Sequence, residues 1–510
     1  MSQSSYAVKV NKSSPRQRVG VSFVAEDDMV RVSKIEPSGL ASTTDLREGD
    51  KILSINGTEI PGLSAKETAA ILRQSSGEIE ILASNDEEDI ESFNKSVEEA
   101  ETEAEYPNIA STMSPMLGLV ILLIQILTVG FIFTQFDNGS DSDFNRKQYV
   151  VFRDVMVMLL LGFGYLMTFL EKYGLSAVGL TMLLTVLNME CNLIVESYFL
   201  TSCSEISMTS IINAEFSAAT LLISFGALIG RATPLQMCFL SIVQSLFYAL
   251  NKVTIVFGLL RAEDVGGTLT IHMFGAYFGL AAAAALGPQN KPSMSNNAAS
   301  RVSDVFAMIG TTLLWVYWPS FVGATETGIV KNEMHCMTNT ILSLVGSTGA
   351  SFYFSQMLNN GKFDAVHIQN STLAGGVAIG ATARLDMGPG IAIVVGLIAG
   401  TISTLGYFHS SPYLEEKFGI FDTCGVGNLH GYPSVLGGLV SILFVYLYPA
   451  DFMEHEIGVQ SLFQLVAVFV TLAVATISGF IAGKISLFFN PSSFTDVPDY
   501  EDAVWWVSED

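Results

Sequence analysis

The sequence predicts an α-helical polytopic membrane domain of about twelve transmembrane helices, preceded by a small β-rich domain. Three observations predict it. Half of the 510 residues are apolar and only 15% are charged, at a mean hydropathy of +0.44, a balance foreign to a soluble chain of this length. Residues 1–107 contain no apolar run near the ~20 residues needed to cross a ~30 Å hydrocarbon core, whereas from Pro115 such runs hardly stop. Within 6–84 the pattern is instead short alternation at period two between turn signals.

The charge balance narrows the function. Forty-nine acidic against 25 basic residues leave a net charge of −24 with six histidines, the opposite of the basic footprint a nucleic-acid binder needs. Cys191, Cys203, Cys238, Cys336 and Cys424 are scattered, without zinc-cluster spacing, so no metal, cofactor or disulfide framework is expected. No nucleophile with a recognisable base, phosphate loop or redox motif is present, and enzymatic activity is not expected.

In the first block, Val19–Phe23 and Val30–Ile35 alternate as strands. Turns follow at 37–39 and Arg47–Asp50, then the strand Lys51–Ile55 and the turn Asn56-Gly57. A helix over Ser64–Arg73, capped by Ser64, and a closing strand Glu78–Ala83 complete a half-open barrel. This order, with EPSGLASTTDLREGDKILSINGTEI at its centre, resembles a PDZ domain over 6–84. The resemblance implies that the C-terminal peptide of another protein adds a strand to a sheet edge while backbone N–H groups hold its carboxylate. Arg18-Val19-Gly20-Val21 matches the carboxylate-binding loop, and Ala65, Ala69 and Leu72 fall along the groove helix. Ala65, where the family often has His, points to an apolar preference. The chain's own end, Ser508-Glu509-Asp510, fits an apolar end pocket badly.

Residues 85–107 read as a solvated linker, because Asn85 to Tyr106 carries ten carboxylates against Lys95 alone. No basic stretch followed by an apolar run opens the chain, so the first inserted helix is expected around 116–134, with the N-terminal block cytosolic. Apolar stretches then centre near 125, 160, 185, 220, 246, 276, 312, 346, 374, 398, 436 and 473, giving a membrane domain over 108–490. An even count returns the tail, 491–510, to the cytosolic side; seven basic residues on that side against five opposite lean the same way. Asn138-Gly-Ser140 in the first outside loop is a candidate glycosylation acceptor. Small residues are dense in these stretches, as at Gly275, Gly279, Gly375-Gly376 and Gly437-Gly438, which favours a compact bundle of transporter or channel type.

Ionisable groups at membrane depth point to function. Asp264-Val-Gly-Gly-Thr-Leu-Thr-Ile-His272 and Asp422-Thr-Cys-Gly-Val-Gly-Asn-Leu-His430 each put a carboxylate eight residues before a histidine, and a glycine follows seven residues later at Gly279 and Gly437. The first opens the sixth helix and the second the eleventh, running oppositely, as in an inverted repeat. Two imidazoles so delivered can share an N–H···N hydrogen bond and line a narrow apolar lumen, which suits a small neutral hydrogen-bonding solute and penalises a bare cation.

From about Tyr106 to Glu501 the chain resembles the Rh glycoprotein branch of the ammonium transporter superfamily. The phrases GFGYLMTFLEKYGLSAVG, INAEF, TIHMFGAYFGL, SDVFAMIGTTLLWVYWPSF, VHIQNSTLAGGVA, GTISTLG and DTCGVGNLHGYPSVLGG carry the resemblance, in order. It implies a homotrimer in the membrane with one pore per subunit, pore histidines His272 and His430, and a phenylalanine gate of Phe216 and Phe321. It also implies Asp264 and Asp422 as acids that orient the pore and attract ammonium, with Glu215, Asp304 and Asp364 as further acids. His367 reads as structural. The implied activity is ammonium recruitment at an acidic vestibule, deprotonation near the gate and passage of ammonia along the imidazoles, at the plasma membrane by family expectation. Two positions depart from the pattern. Lys252 stands where the family has an acid, and would weaken recruitment or pair with Asp264 or Glu263; Gly427 replaces an Asn and would loosen the pore's inner side. A CO2 channel and an ammonium sensor or scaffold signalling through the PDZ domain are the competing readings.

Overall fold

The computed structural model describes residues 5–12, 19–26, 29–37, 39–60, 64–75, 77–84, 109–138, 146–202, 205–287, 296–326, 330–489 and 500–507. Contacts divide the chain into two compact units, Met1–Pro107 and Asn108–Asp510. The acidic segment 85–107 lies outside the described residues.

The first unit is a six-stranded sheet of β1 (Ser5–Lys12), β2 (Val21–Glu26), β3 (Met29–Ile35), β4 (Lys51–Ile55), β5 (Thr58–Glu59) and β6 (Gly77–Ser84). The order is β1-β6-β4-β3-β2, with β5 paired to β4. Every pairing is antiparallel. Alternation puts Val8 and Val10, Val30 and Val32, and Ile79 and Ile81 on one buried face, and β4 adds Ile52 and Ile55. Asn56 and Gly57 both take positive φ, 51° and 75°, as a two-residue hairpin turn requires. Helix α1, Ala65–Gln74, starts at the expected cap. Ser64 Oγ accepts the Glu67 N–H at 3.2 Å and the Glu67 carboxylate accepts the Ser64 N–H at 2.8 Å, a reciprocal box that satisfies two helix-end donors. The structure differs from expectation at both ends of the sheet. β1, which pairs along β6, is an additional strand, and β2 begins at Val21 rather than Val19. Gly20 has φ 75°, and the carbonyls of Val19 and Gly20 are bonded by the N–H groups of Ala41 and Glu36, off the ladder.

The second unit is helical. Among the described residues, ten helices are long and apolar enough to cross a membrane: Met116–Gln135, Arg146–Phe169, Gly174–Leu200, Met208–Leu228, Pro234–Leu259, Thr268–Leu286, Arg301–Val322, Pro389–Phe418, Gly427–Leu447 and Ile457–Phe489. The two remaining expected centres also fall on helix. Val330–Leu358 is 29 residues long but more polar, and the stretch near 374 is interrupted between Ala365–Ser371 and Ala374–Ile379. Counting these two, the helices are numbered below in chain order, first to twelfth.

The first helix presents Leu122, Ile126, Leu127 and Phe133 outward, as a lipid-facing surface does, while the fourth and sixth are largely buried. Glycine lets the central helices meet backbone to backbone. A methyl at Gly279 would stand 2.7 Å from the Cα of Ser224, and one at Gly437 would stand 2.3 Å from the carbonyl oxygen of Ala378. The glycine repeated seven residues after each histidine therefore has a packing reason. Asp137–Asn138 pairs in parallel with Glu205–Ile206, joining two inter-helix connections; residues 139 and 140 of the candidate glycosylation motif lie outside the described residues. The tail docks where it is described. The Asp502 carboxylate accepts the N–H groups of Leu175 and Ser176 at 2.7 and 2.8 Å at the start of the third helix, and Trp506 Nε1 donates to Ser176 Oγ at 2.8 Å.

Candidate functional site

The two Asp…His segments fold alike. Gly267 and Gly425, each three residues after its aspartate, take φ of 69° and 71°, a left-handed turn that glycine adopts without strain. Each donates its N–H to the carbonyl of its own aspartate at 3.1 Å. The carboxylate is thereby turned onto the start of the following helix. Asp264 accepts the N–H groups of Leu269 and Thr270 and the Thr270 hydroxyl, at 2.8–3.1 Å. Asp422 accepts the N–H groups of Val426 and Gly427 at 2.9 and 2.8 Å. Both helices then open with a π-helical turn, Thr268–Met273 and Gly427–Gly431, that carries the histidine, a local widening often found at functional sites.

The two histidines meet. His272 Nδ1 and His430 Nδ1 are 3.2 Å apart, with ring planes 11° from parallel and centroids 5.2 Å apart. At that distance one Nδ1 donates a proton and the other accepts it, so the two rings hold opposite tautomers. The donor ring keeps a bare Nε2 and the acceptor ring an Nε2–H. Both side chains are almost wholly buried, and among the described residues His272 Nε2 has no protein partner. The Trp318 indole stacks on His272 at 5.4 Å and lies 6.4 Å from His430, and Phe163 stacks on His430 at 6.2 Å. Phe216 and Phe321 form an edge-to-face pair at 5.2 Å, with Phe321 5.9 Å from the His272 ring. The sequence reading missed Trp318 and Phe163. The signal for Trp318 was its spacing, since three residues before Phe321 is one helical turn and the same face.

A cavity of about 530 Å³ adjoins Phe216 and is lined also by Glu196, Asn213, Tyr248, Lys252, Glu263 and Asp264, with Glu326, Arg384, Arg261 and Glu454 at its wall. Of the five acids expected at a vestibule, only Asp264 lines it. Glu215 is fully buried with both oxygens unpartnered. Asp304 accepts from the Gln369 amide at 3.0 Å, and Asp364 caps the helix Ala365–Ser371 through the His367 N–H. His367 Nδ1 lies 3.3 Å from Ser355 Oγ, in keeping with a structural role.

Lys252 pairs with neither Asp264 nor Glu263. Its Nζ lies 2.7 Å from Glu196 of the third helix and 3.1 Å from the Asn213 amide oxygen. Glu263 is taken instead by a bidentate pair with Arg384, which also donates to Glu326 at 2.8 Å. Gly427 packs loosely by comparison with the helix-contact glycines: a methyl there would meet Asp422 Oδ2 at 3.2 Å and Leu280 at 3.4 Å.

In the sheet unit β2 is an edge strand, open to an added strand on its outer side. Val19 is buried, Gly20 and Val21 are half-buried, and Arg18 lies outside the described residues. Ala65 and Ala69 are half-buried on α1. Leu72 is buried in the apolar cluster that also holds Val19, Ile79 and Ile81, with Val21 and Phe23 of β2 packed against it.

Residues 7–84 match the PDZ domain model, and residues 115–490 match the Ammonium Transporter Family model. The chain is 36% identical to ammonium transporter Rh type B of Danio rerio over 428 residues, covering 77% of this chain and 92% of that protein. It is 40% identical to ammonium transporter Rh type A of Bos taurus over 375 residues, covering 72% and 85%. Among solved structures, Rh50 of Nitrosomonas europaea, described within the Rhesus protein family of channels, aligns with a TM-score of 0.62 at 34% identity over 71% of this chain and 91% of that one. A sensor Amt protein aligns at 0.56 and 18% identity, a likeness of fold alone. With ten apolar helices and a family match over most of its length, this integral membrane protein belongs to the ammonium transporter family.

Proposed function

We propose that the chain conducts ammonia, drawn from ammonium, through a pore between the fourth, sixth, seventh and eleventh helices, one pore in each subunit of a homotrimer. The observation that carries this reading is the Nδ1–Nδ1 contact of His272 and His430 at 3.2 Å, walled by Trp318 and Phe163 and adjoined by the Phe216–Phe321 pair. A file of alternating Nε2 acceptor and Nε2–H donor matches a solute that both donates and accepts hydrogen bonds. Among the described residues no carboxylate stands at the imidazoles, and cation–π contact with Trp318 or Phe163 returns only part of the desolvation cost of a bare cation, a few kcal/mol or more on lenient scales. Ammonium therefore sheds its proton before the imidazoles and regains one beyond them.

Asp264 and Asp422 act in this reading as positioning residues. Their oxygens are engaged by backbone N–H groups at the helix starts, which fixes the turn that carries each histidine. Phe216 and Phe321 form the gate, and both termini face the cytosol at the plasma membrane. The PDZ domain takes the C-terminal peptide of another protein along β2 and anchors the transporter. The N–H groups at 19–21 receive the peptide carboxylate, and the small Ala65 leaves room for an apolar side chain.

The test is stopped-flow pH recording in proteoliposomes after an ammonium jump and, in parallel, a CO2 jump. Wild type is expected to give an ammonia-linked alkalinisation faster than empty liposomes, and His272→Ala with His430→Ala to change it by an order of magnitude. A rise no faster than empty liposomes, in folded trimeric protein, would refute conduction of ammonia; a response to the CO2 jump alone would transfer the pore to CO2. Neither response, with ammonium-dependent binding intact, would favour a sensor.

A further inference from the structure

We infer that the Lys252 side chain is a tethered occupant of the cavity's ammonium-binding position, so that the native protein offers free ammonium no vacant cation site beside the gate. This rests on the conduction reading above and specifies how its cavity treats the cation.

The inference starts from the ligands of Lys252 Nζ. They are a carboxylate oxygen of Glu196 at 2.7 Å, the amide oxygen of Asn213 at 3.1 Å, and the face of Tyr248, whose ring centroid is 5.7 Å away. A primary ammonium and the ammonium ion share charge, N–H donors and nearly the same size. The set that holds one, an anion, a neutral acceptor and a π face, is the set that would hold the other. The Lys252 and Glu196 side chains are only 10% and 5% exposed, so this is a built pocket rather than a surface pair. It also adjoins the gate, because Asn213 is one helical turn before Phe216 on the fourth helix.

The other acids of the cavity leave no alternative. Glu263 and Glu326 are held by Arg384, which also lies over the Phe452 ring at 3.7 Å. Glu454 pairs with Arg261, and Asp264 is engaged at its helix start. Among the described residues that line this cavity, every carboxylate thus has a cationic or N–H partner. A tether of four methylenes keeps Nζ at an effective concentration on the order of millimolar or above, which free ammonium must exceed to displace it. The cavity of this chain then passes ammonia without first concentrating ammonium.

The experiment measures ammonium binding and flux separately on the full-length protein. Thermal melting in detergent is followed with NH4Cl replacing NaCl at constant ionic strength, for wild type, Lys252→Met, Lys252→Arg and the double variant Lys252→Met with Glu196→Gln. Lys252→Met is expected to gain a saturable, ammonium-specific rise in Tm, half-complete at a concentration about tenfold or more below any effect on wild type. Lys252→Arg and the double variant are expected to show none. A folded Lys252→Met without an ammonium-specific shift, or wild type shifting equally, would overturn the inference.

Should Lys252→Met fail to fold with Glu196 left unpaired, wild type supplies the second measurement. Its initial flux at fixed pH should rise in proportion to total ammonium, and saturation in the low millimolar range would overturn the inference. Failure of the underlying reading is distinguishable: it appears as wild-type flux that His272→Ala does not alter, whereas the melting shift is read without any flux.

Discussion

Replacing Asp264 tests whether a buried carboxylate serves the pore by charge or by geometry. In Asp264→Ala the N–H groups of Leu269 and Thr270 lose their acceptor inside a site where Asp264 is only 2% exposed. Each buried donor left unpaired costs about 1–3 kcal/mol, so two of them, with some relaxation of the helix start, cost about 2–4 kcal/mol. Asp264→Asn is milder. Oδ2 takes the Thr270 N–H and hydroxyl and also lies 3.1 Å from the Leu269 N, so an amide oxygen there keeps all three, and only the Leu269 N–H, now facing the NH2 in place of Oδ1, is weakened, at about 1 kcal/mol. If the carboxylate acts as a positioning group, Asp264→Ala lowers the Tm by several degrees and reduces ammonia flux tenfold or more, while Asp264→Asn keeps most of both. The assay pairs melting in detergent with proteoliposome flux on the same preparations. An Asp264→Asn protein that melts like wild type yet loses flux as fully as Asp264→Ala would refute the argument, since only the charge would then have been removed.

At Asp422 each oxygen takes a single N–H, so Asp422→Asn must lose one of two bonds and is expected to lower the Tm more than Asp264→Asn in the same melt. Gly437→Leu would drive a side chain into the Ala378 carbonyl; overpacking of about 3 kcal/mol or more is expected to show as loss of the folded species on size-exclusion chromatography, whereas Gly427→Asn, whose Cβ would meet Asp422 Oδ2 at 3.2 Å and require only a small shift of that side chain, should fold with a slightly lowered Tm and alter flux. Asp502→Ala removes the acceptor at the start of the third helix, and about 1 kcal/mol of cap stability should appear as faster amide exchange at Leu175 and Ser176. In the sheet unit the Ser64 N–H and hydroxyl hold the Glu67 carboxyl below the usual carboxylate range; because its folded pKa is depressed, the box is fully formed above the ordinary Glu value of roughly 4.3 and is lost as pH falls through the lower folded value, which amide exchange in α1 should follow and Ser64→Ala should abolish.

Much of this site was legible because its chemistry is rare where it occurs. A histidine in an apolar stretch is conspicuous, and an identical Asp-to-His spacing in two stretches, each with a later glycine, gives both the pairing and the helix contacts. The glycines at 267 and 425 repeat too, three residues after each aspartate, and are turn signals in the sequence. Other features were not legible for physical reasons. Lys252 and Glu196 are 56 residues apart in sequence, and nothing local distinguishes Glu196 from Asp264 or Glu263 as a partner; only the packing of the third helix against the fifth decides it. The strand β1 is present only as the short alternation Val8, Val10, with no strong turn signal before it to mark its start.

The repeated device also explains how one chain can bring two buried imidazoles into contact, as the proposed pore requires. Each imidazole of the pair satisfies its Nδ1 on the other ring, of opposite tautomer, while among the described residues His272 Nε2 has no protein partner. Such a contact requires two helix starts, each rigid and each aimed at the other, which is what an aspartate on its own helix N-terminus and a left-handed glycine before the first turn provide. The two copies then diverge only where their surroundings do. At Asp264 the Thr270 hydroxyl adds a third bond, and near the Phe216–Phe321 pair Lys252 is held by Glu196 and Asn213; at Asp422 the corresponding helix opens at Gly427, where a methyl would meet Asp422 Oδ2 at 3.2 Å. The imidazole pair itself is near-symmetric, so any difference between the two directions of transport must arise in these flanking groups. Comparing inward and outward flux in Lys252→Met and Gly427→Asn locates it: a change confined to the ammonium dependence of one direction assigns that direction to the cavity beside Phe216, and equal changes in both directions would show that the imidazole pair alone limits passage.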